Sequence, residues 1–167
     1  MIIREEIDSD REAIYKVNTA AFPADDEAKL VDRLRDSGSD LVSLVAEENA
    51  IIVGHILFSP AQLEEYIELK LMGLAPMAVL PEFQNQGVGS KLVEAGLNRC
   101  RELEIGAVIV LGHPQFYPRF GFFPASTFNT RSAYDVADEN FMAQELTPNY
   151  LANYQGKFDY HPAFSEM

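Results

Sequence analysis

The chain has 167 residues, a formal net charge of −13, 47% hydrophobic and 23% charged residues. That is enough apolar material for the core of one compact domain, expected to span residues 1–167. The acidic balance argues against non-specific nucleic-acid binding, which needs basic groups on the phosphates, and against docking on an anionic membrane.

Residues 2–7 read as a first strand, and Asp8-Ser9-Asp10 supplies N-cap chemistry for a helix through about Ala21, with Ile14, Val17 and Ala21 at helical spacing. Pro23 breaks it. A second helix is expected from about Asp25 to Asp36, with Leu30, Val31 and Leu34 inward and Gly38 beyond its end. Residues 41–47 and 50–59 read as a hairpin turning at Glu48-Asn49. An extended region follows over 65–80. Its later half is nearly all apolar, which suits a strand buried on both faces. Pro76 cannot donate to a sheet ladder, so it marks an edge, a bulge or a place where two strands part. The reading is a central strand that splays near Pro76.

Next come Pro81-Glu82-Phe83, the glycine loop Gln84-Asn85-Gln86-Gly87-Val88-Gly89, and a helix from about Val88 to Leu103 whose apolar face carries Val88, Leu92, Val93, Leu97 and Cys100. Residues 107–111 read as a strand rich in Val and Ile. A short helix is expected around 115–120, ended by Gly121, and 141–146 reads as a late strand. The order of elements is α/β (α+β), with antiparallel strands first and a crossover helix later. The N-terminus lacks a basic start followed by a long apolar run, and no stretch approaches the roughly 20 apolar residues that span a bilayer. Cys100 is the only cysteine. A soluble cytoplasmic protein without nucleic-acid or membrane partners is expected.

Strand, glycine loop and helix start form the first chemical feature. Glycine lets a backbone come close to a ligand, and the N–H groups at a helix start favour anions, so a pyrophosphate suits the place. The loop lacks the Gly-Lys-Ser/Thr of a Walker loop and the three spaced glycines of a dinucleotide fingerprint. Taken alone, it is equally a plain loop with a glycine helix start.

Residues 79–92, Val-Leu-Pro-Glu-Phe-Gln-Asn-Gln-Gly-Val-Gly-Ser-Lys-Leu, resemble the acetyl-CoA signature of the GNAT N-acetyltransferases, carried here by Gln84, Gly87 and Gly89. A second stretch, Tyr117-Pro118-Arg119-Phe120-Gly121-Phe122, resembles that family's late motif, a tyrosine four residues before Gly-Phe. Leu111-Gly112-His113-Pro114 points to the YhbS-like branch. The likeness covers most of the chain up to about Phe123. Beyond that it rests on the ending Tyr160-His161-Pro162-Ala163-Phe164.

The resemblance implies a central mixed, mostly antiparallel sheet splayed near Pro76 and flanked by about four helices. It implies acetyl-CoA as cosubstrate, with no metal. Pantetheine would pair with the backbone of Met77, Ala78 and Val79. Gln84, Asn85, Gln86, Gly87, Val88, Gly89 and Ser90 would bind the cosubstrate, with the pyrophosphate on the N–H groups of Asn85 to Ser90. A backbone N–H, that of Met77, would stabilise the oxyanion, and Tyr117 would act as general acid to the leaving thiolate. The acceptor implied is an amine of a small molecule or peptide. Common members carry Arg-Gly-Lys where this chain has Gln84-Asn85-Gln86, so the cradle here is uncharged, with Lys91 as a possible assistant.

The general base stays open among His113, a glutamate (Glu64, Glu65 or Glu68) and water. His55 reads first as a satisfied, partly buried histidine, and Cys100 as a core thiol. Phe116, Phe120, Phe122, Phe123 and Phe128 suit core packing as well as an acceptor pocket. A non-catalytic acyl-CoA-binding sensor is the alternative function, and a longer acyl donor a third reading. Homodimers are common in the family, and the residues leave monomer or homodimer open.

Overall fold

The computed structural model describes residues 1–167. In chain order its elements are β1 (Ile2–Glu5), α1 (Arg11–Ala21), α2 (Asp26–Asp36), β2 (Val42–Glu48), β3 (Ile51–Pro60), β4 (Gln62–Leu63), β5 (Leu71–Val79), α3 (Val88–Glu102), β6 (Ala107–Leu111), β7 (Phe123–Pro124), β8 (Thr130–Ser132), β9 (Phe141–Glu145) and β10 (Gly156–Asp159). Strands hydrogen-bond into a seven-stranded sheet in the order β1-β2-β3-β5-β6-β9-β7 and a three-stranded sheet in the order β4-β10-β8. The larger sheet is mostly antiparallel, with β5 and β6 parallel. There are three α-helices rather than about four. The expected fourth is a single 3-10 turn, Tyr117–Phe120, closed by Gly121 at φ 99°. Pro118 in its first turn removes a donor and keeps the turn short.

Contacts divide the chain into two compact units, one of residues 1–58, 75–99 and 162–167, the other of 59–74 and 100–161. In the first unit, β1 runs antiparallel to β2 and β2 antiparallel to β3, with a bulge at Ala46/Glu47. The hairpin turns one residue later than expected, because Asn49 and Ala50 both take left-handed backbone, at φ 50° and 67°, as a tight two-residue turn demands. Ile14, Val17, Leu30, Val31 and Leu34 from α1 and α2 form one core with Val45, Leu57 and Ala78. Their three- and four-residue spacing puts them on one stripe of each helix, the face that must leave water.

In the second unit, β6 pairs in parallel with Leu71–Leu74 of β5 and antiparallel with β9. Ala107, Val108, Ile109 and Val110 are all buried, as a strand covered on both faces requires. The small sheet was not foreseen. Gln62–Leu63 pairs with Phe158–Asp159, so short strands are assembled from opposite ends of the unit. Of the extended region expected over 65–80, only Leu71–Val79 is strand. Glu64 takes a left-handed backbone at φ 46°, and the N–H of Tyr66 turns back to the carbonyl of Leu63, so the chain before β5 is turns.

The last registered rung between β5 and β6 joins Leu74 to Val110. Rungs of a parallel ladder use alternate residues of a strand, so the next would need an N–H at Pro76, which proline lacks. The Ala75–Pro76 peptide is cis.

Candidate active site

β5 delivers the chain to the glycine loop. Ala78 is buried in the first unit's core, while Met77 and Val79, on the other face, are half-buried. Leu80 N–H donates to the Val53 carbonyl at 2.9 Å and Phe83 N–H to that of Leu80 at 2.8 Å, which anchors the turn Pro81–Phe83 to β3. Two side-chain amides then fold inward. Gln84 Nε2 donates to the Val79 carbonyl and Gln86 Nε2 to the Glu82 carbonyl, each at 3.0 Å. The glutamines therefore brace the loop through its own carbonyls.

Asn85 and Gly87 take left-handed backbone, at φ 61° and 85°. A Cβ on Gly87 would meet nothing within 4 Å, so glycine is required there by backbone conformation and not by space. Alternating left- and right-handed residues turn successive N–H groups into one concavity, a form that suits anions. The Lys91 N–H to Gly87 carbonyl bond, at 3.1 Å, is the first i→i−4 bond of α3. The N–H groups of Val88, Gly89 and Ser90 precede it and have no partner along the helix. The partial positive charge of the helix start lies on these groups.

The start of α3 is fixed from below. Val88 is buried, and a methyl on Gly54 of β3 would come within 3.0 Å of Val88 Cγ1 and 3.1 Å of Leu92 Cδ1. Sequence reasoning missed Gly54. Its only signal was a glycine inside an otherwise apolar strand, which marks a close approach.

Tyr117 lies in the second unit. It is 7% exposed, and its ring stacks edge-on to Phe116 and Phe122 at 5.0 and 5.7 Å between centroids. The ring lies over Gly112, where a Cβ would fall 2.3 Å from it. Its N–H points to the His113 carbonyl at 3.4 Å. Burial pushes the phenol up to about 12, so it stays protonated at neutral pH. The guanidinium of Arg119 sits 4.6 Å from the centre of the Phe116 ring and stiffens the turn from outside. Of the aromatic residues named from the sequence, Phe122 is buried and Phe123 is 55% exposed against Phe128.

The first unit holds every loop and β5 residue named for acetyl-CoA. Tyr117, His113 and Glu64 belong to the second. His113 is exposed. Glu64 is occupied, its carboxylate accepting the Lys157 N–H. His55 is fully buried: Asn18 Nδ2 lies 3.4 Å from its Nδ1 and its Nε2 lies 2.9 Å from Ser43 Oγ. Ser43 in turn bonds Glu6, which pairs with Arg35. Burial, with Arg35 adding to it, pushes His55 down to about 3, so it is a neutral core group. Cys100 is a buried core thiol. No group of three His, Cys, Asp or Glu side chains gathers as a metal site.

A strand, an uncharged turn with left-handed backbone and a helix start make this an α/β protein with a loop of a form that suits an anion. The chain belongs to the acetyltransferase (GNAT) family, whose model matches residues 11–122. It is 34% identical to the uncharacterized N-acetyltransferase YhbS of Escherichia coli (strain K12), over 100% of both chains. It superposes on the crystal structure of Escherichia coli YhbS in complex with CoA at a TM-score of 0.93, with 33% identity, 98% of this chain covered and 91% of that one. A GNAT acetyltransferase from Brucella melitensis in complex with acetyl-CoA is also similar, with a TM-score of 0.82, 33% identity and coverage of 98% and 97%.

Proposed function

We propose that this chain is an N-acetyltransferase that moves the acetyl group of acetyl-CoA to a primary amine of a small molecule or peptide. One observation carries the reading: the loop Gln84–Ser90, exposed from Gln84 to Gly87, with left-handed Asn85 and Gly87 in front of the N-terminus of α3. Its neutral N–H groups suit a pyrophosphate in an otherwise acidic chain, because they attract an anion over a few ångström without relying on net charge. Similarity to structures that hold CoA and acetyl-CoA supports the same ligand. A cytoplasmic setting fits a chain with a single cysteine, which cannot form an intrachain disulfide.

In this reading the backbone of Met77, Ala78 and Val79 pairs with the pantetheine amides as an added strand would. The neutral amine attacks the thioester carbonyl carbon. The Met77 N–H stabilises the oxyanion, the C–S bond breaks, and the acetyl group leaves on nitrogen. The ammonium so formed gives its surplus proton to a base, with His113, a glutamate and water as candidates. Tyr117 serves the sulfur. A thiol ionises near 8.5 and this phenol near about 12. Full transfer, even to the finished thiolate, is therefore uphill. Tyr117 acts on the leaving group as an acid that shares its proton with the sulfur through a hydrogen bond, strongest as charge develops in the C–S cleavage.

The test is release of free thiol from acetyl-CoA across a panel of amines, run beside Tyr117→Phe and beside succinyl- and longer acyl-CoA. Turnover on at least one amine, strongly reduced in the variant, is expected. Tight CoA binding with no turnover on any acceptor would replace the enzyme by an acyl-CoA-binding sensor.

A further inference from the structure

Tyr160 follows β10, is 5% exposed and plays no part in the chemistry above. Its hydroxyl donates to the Leu74 carbonyl at 3.1 Å and accepts the Leu111 N–H at 2.9 Å. Those two groups are not arbitrary. In a parallel ladder a residue bonds to the neighbours of its partner. With Leu74 registered on Val110, the Leu74 carbonyl and the Leu111 N–H belong to the last rung of β5 and β6. The phenol satisfies both ends of that rung, one as donor and one as acceptor.

The side chain is held on the spot. Its ring lies against Gly73, where a Cβ would fall 2.5 Å from ring carbon Cδ1, so only glycine in β5 admits it. Its backbone N–H donates to the Tyr134 hydroxyl at 3.3 Å, and that hydroxyl donates to Asp159 at 2.6 Å. Burial pushes the Tyr160 phenol above the ordinary range, so the proton it gives Leu74 is permanent.

We infer that Tyr160 is a positioning residue: its hydroxyl, seated on the last β5–β6 rung, sets where the two strands part and so holds the β5 edge from Met77 to Val79 ready for the pantetheine arm of acetyl-CoA. This rests on the acetyl-CoA reading above. Pro76 removes the donor of the next rung, and Tyr160 occupies the groups of the rung before it. Without the hydroxyl, the Leu74 carbonyl and Leu111 N–H are left to close on each other, and β5 shifts just ahead of the residues that would meet pantetheine. The phosphate cradle, braced by Gln84, Gln86 and Gly54, does not depend on this rung.

Calorimetric titration separates the two. Tyr160→Phe keeps the ring against Gly73 and removes both hydrogen bonds. Its Kd for CoA is expected to rise about fivefold to tenfold, with that for 3′-phospho-ADP, which keeps the pyrophosphate and lacks pantetheine, within about twofold. A CoA affinity equal to that of the unaltered protein, or equal weakening of both ligands, overturns the inference. Should Tyr160→Phe fold poorly, Gly73→Ala, whose methyl displaces the ring and so carries the hydroxyl off the rung, must give the same split. If the unaltered protein binds neither ligand, the acetyl-CoA reading falls with it; loss of the split alone removes only the role of Tyr160.

Discussion

Under the proposed function, the Gln84–Ser90 loop and the turn around Tyr117 are opposite solutions to holding a functional group. The loop is built from backbone, exposed from Gln84 to Gly87, and carries no charge until Lys91. Its geometry comes from two left-handed residues and two glutamine amides. The turn offers one side chain, sunk among Phe116, Phe122 and the bare backbone of Gly112. A backbone site tolerates many side-chain changes and fails when φ is disturbed. A side-chain site fails when one atom is removed. Binding should therefore be read out at the loop and rate at the turn.

The largest effect is expected at the turn. Tyr117→Phe deletes only the hydroxyl, and kcat should fall by about 100-fold or more while the Kd for CoA is unchanged. Steady-state kinetics on an active amine, with titration of CoA, check both. A loss of affinity matching the loss of rate would erase the division between the regions.

Acid distinguishes the two units that carry them, because the loop's unit holds the fully buried His55. Its folded pKa, about 3, lies below the unfolded 6.5. The folded state thus gains stability from neutral His55 that is fully present above pH 6.5 and lost as pH falls toward 3. At pH 5 the loss should be about 2 kcal/mol. Thermal melts from pH 7 to pH 5 should show that slope, and His55→Gln should flatten it. An unchanged slope in the variant would assign acid sensitivity to other groups.

Gly87→Val places a β-branched residue at φ 85°. CoA binding should weaken by about tenfold with kcat at saturation near normal, because strain displaces the cradle and not the phenol. The smallest effect is expected for Asn85→Gly. The position is left-handed and asparagine already tolerates it, so CoA affinity should stay within about twofold. A large loss there would show that the Asn85 side chain, and not only its backbone, serves the ligand.

Much of this was legible in residue order. α1, α2 and α3 ended within a residue or two of their expected limits, because apolar spacing, caps and breakers act over a few residues. β6 began and ended at the expected residues, and Cys100 and His55 proved to be core groups as read. The short helix expected around Tyr117 ends at Gly121 as read, but Pro118 keeps it to one 3-10 turn. The three-stranded sheet escaped because strands of two to four residues have no period of their own.

The sequence alone determined the family, the strand–loop–helix order and the uncharged cradle, since these depend on local backbone preferences and short motifs. Only the tertiary structure revealed that Gly54 lets α3 seat on β3, that Gln84 and Gln86 brace the loop from within, and that Tyr160 caps the last β5–β6 rung. Each of those depends on close approach between atoms whose direction is set by the packed core, and spacing along the chain does not encode that direction.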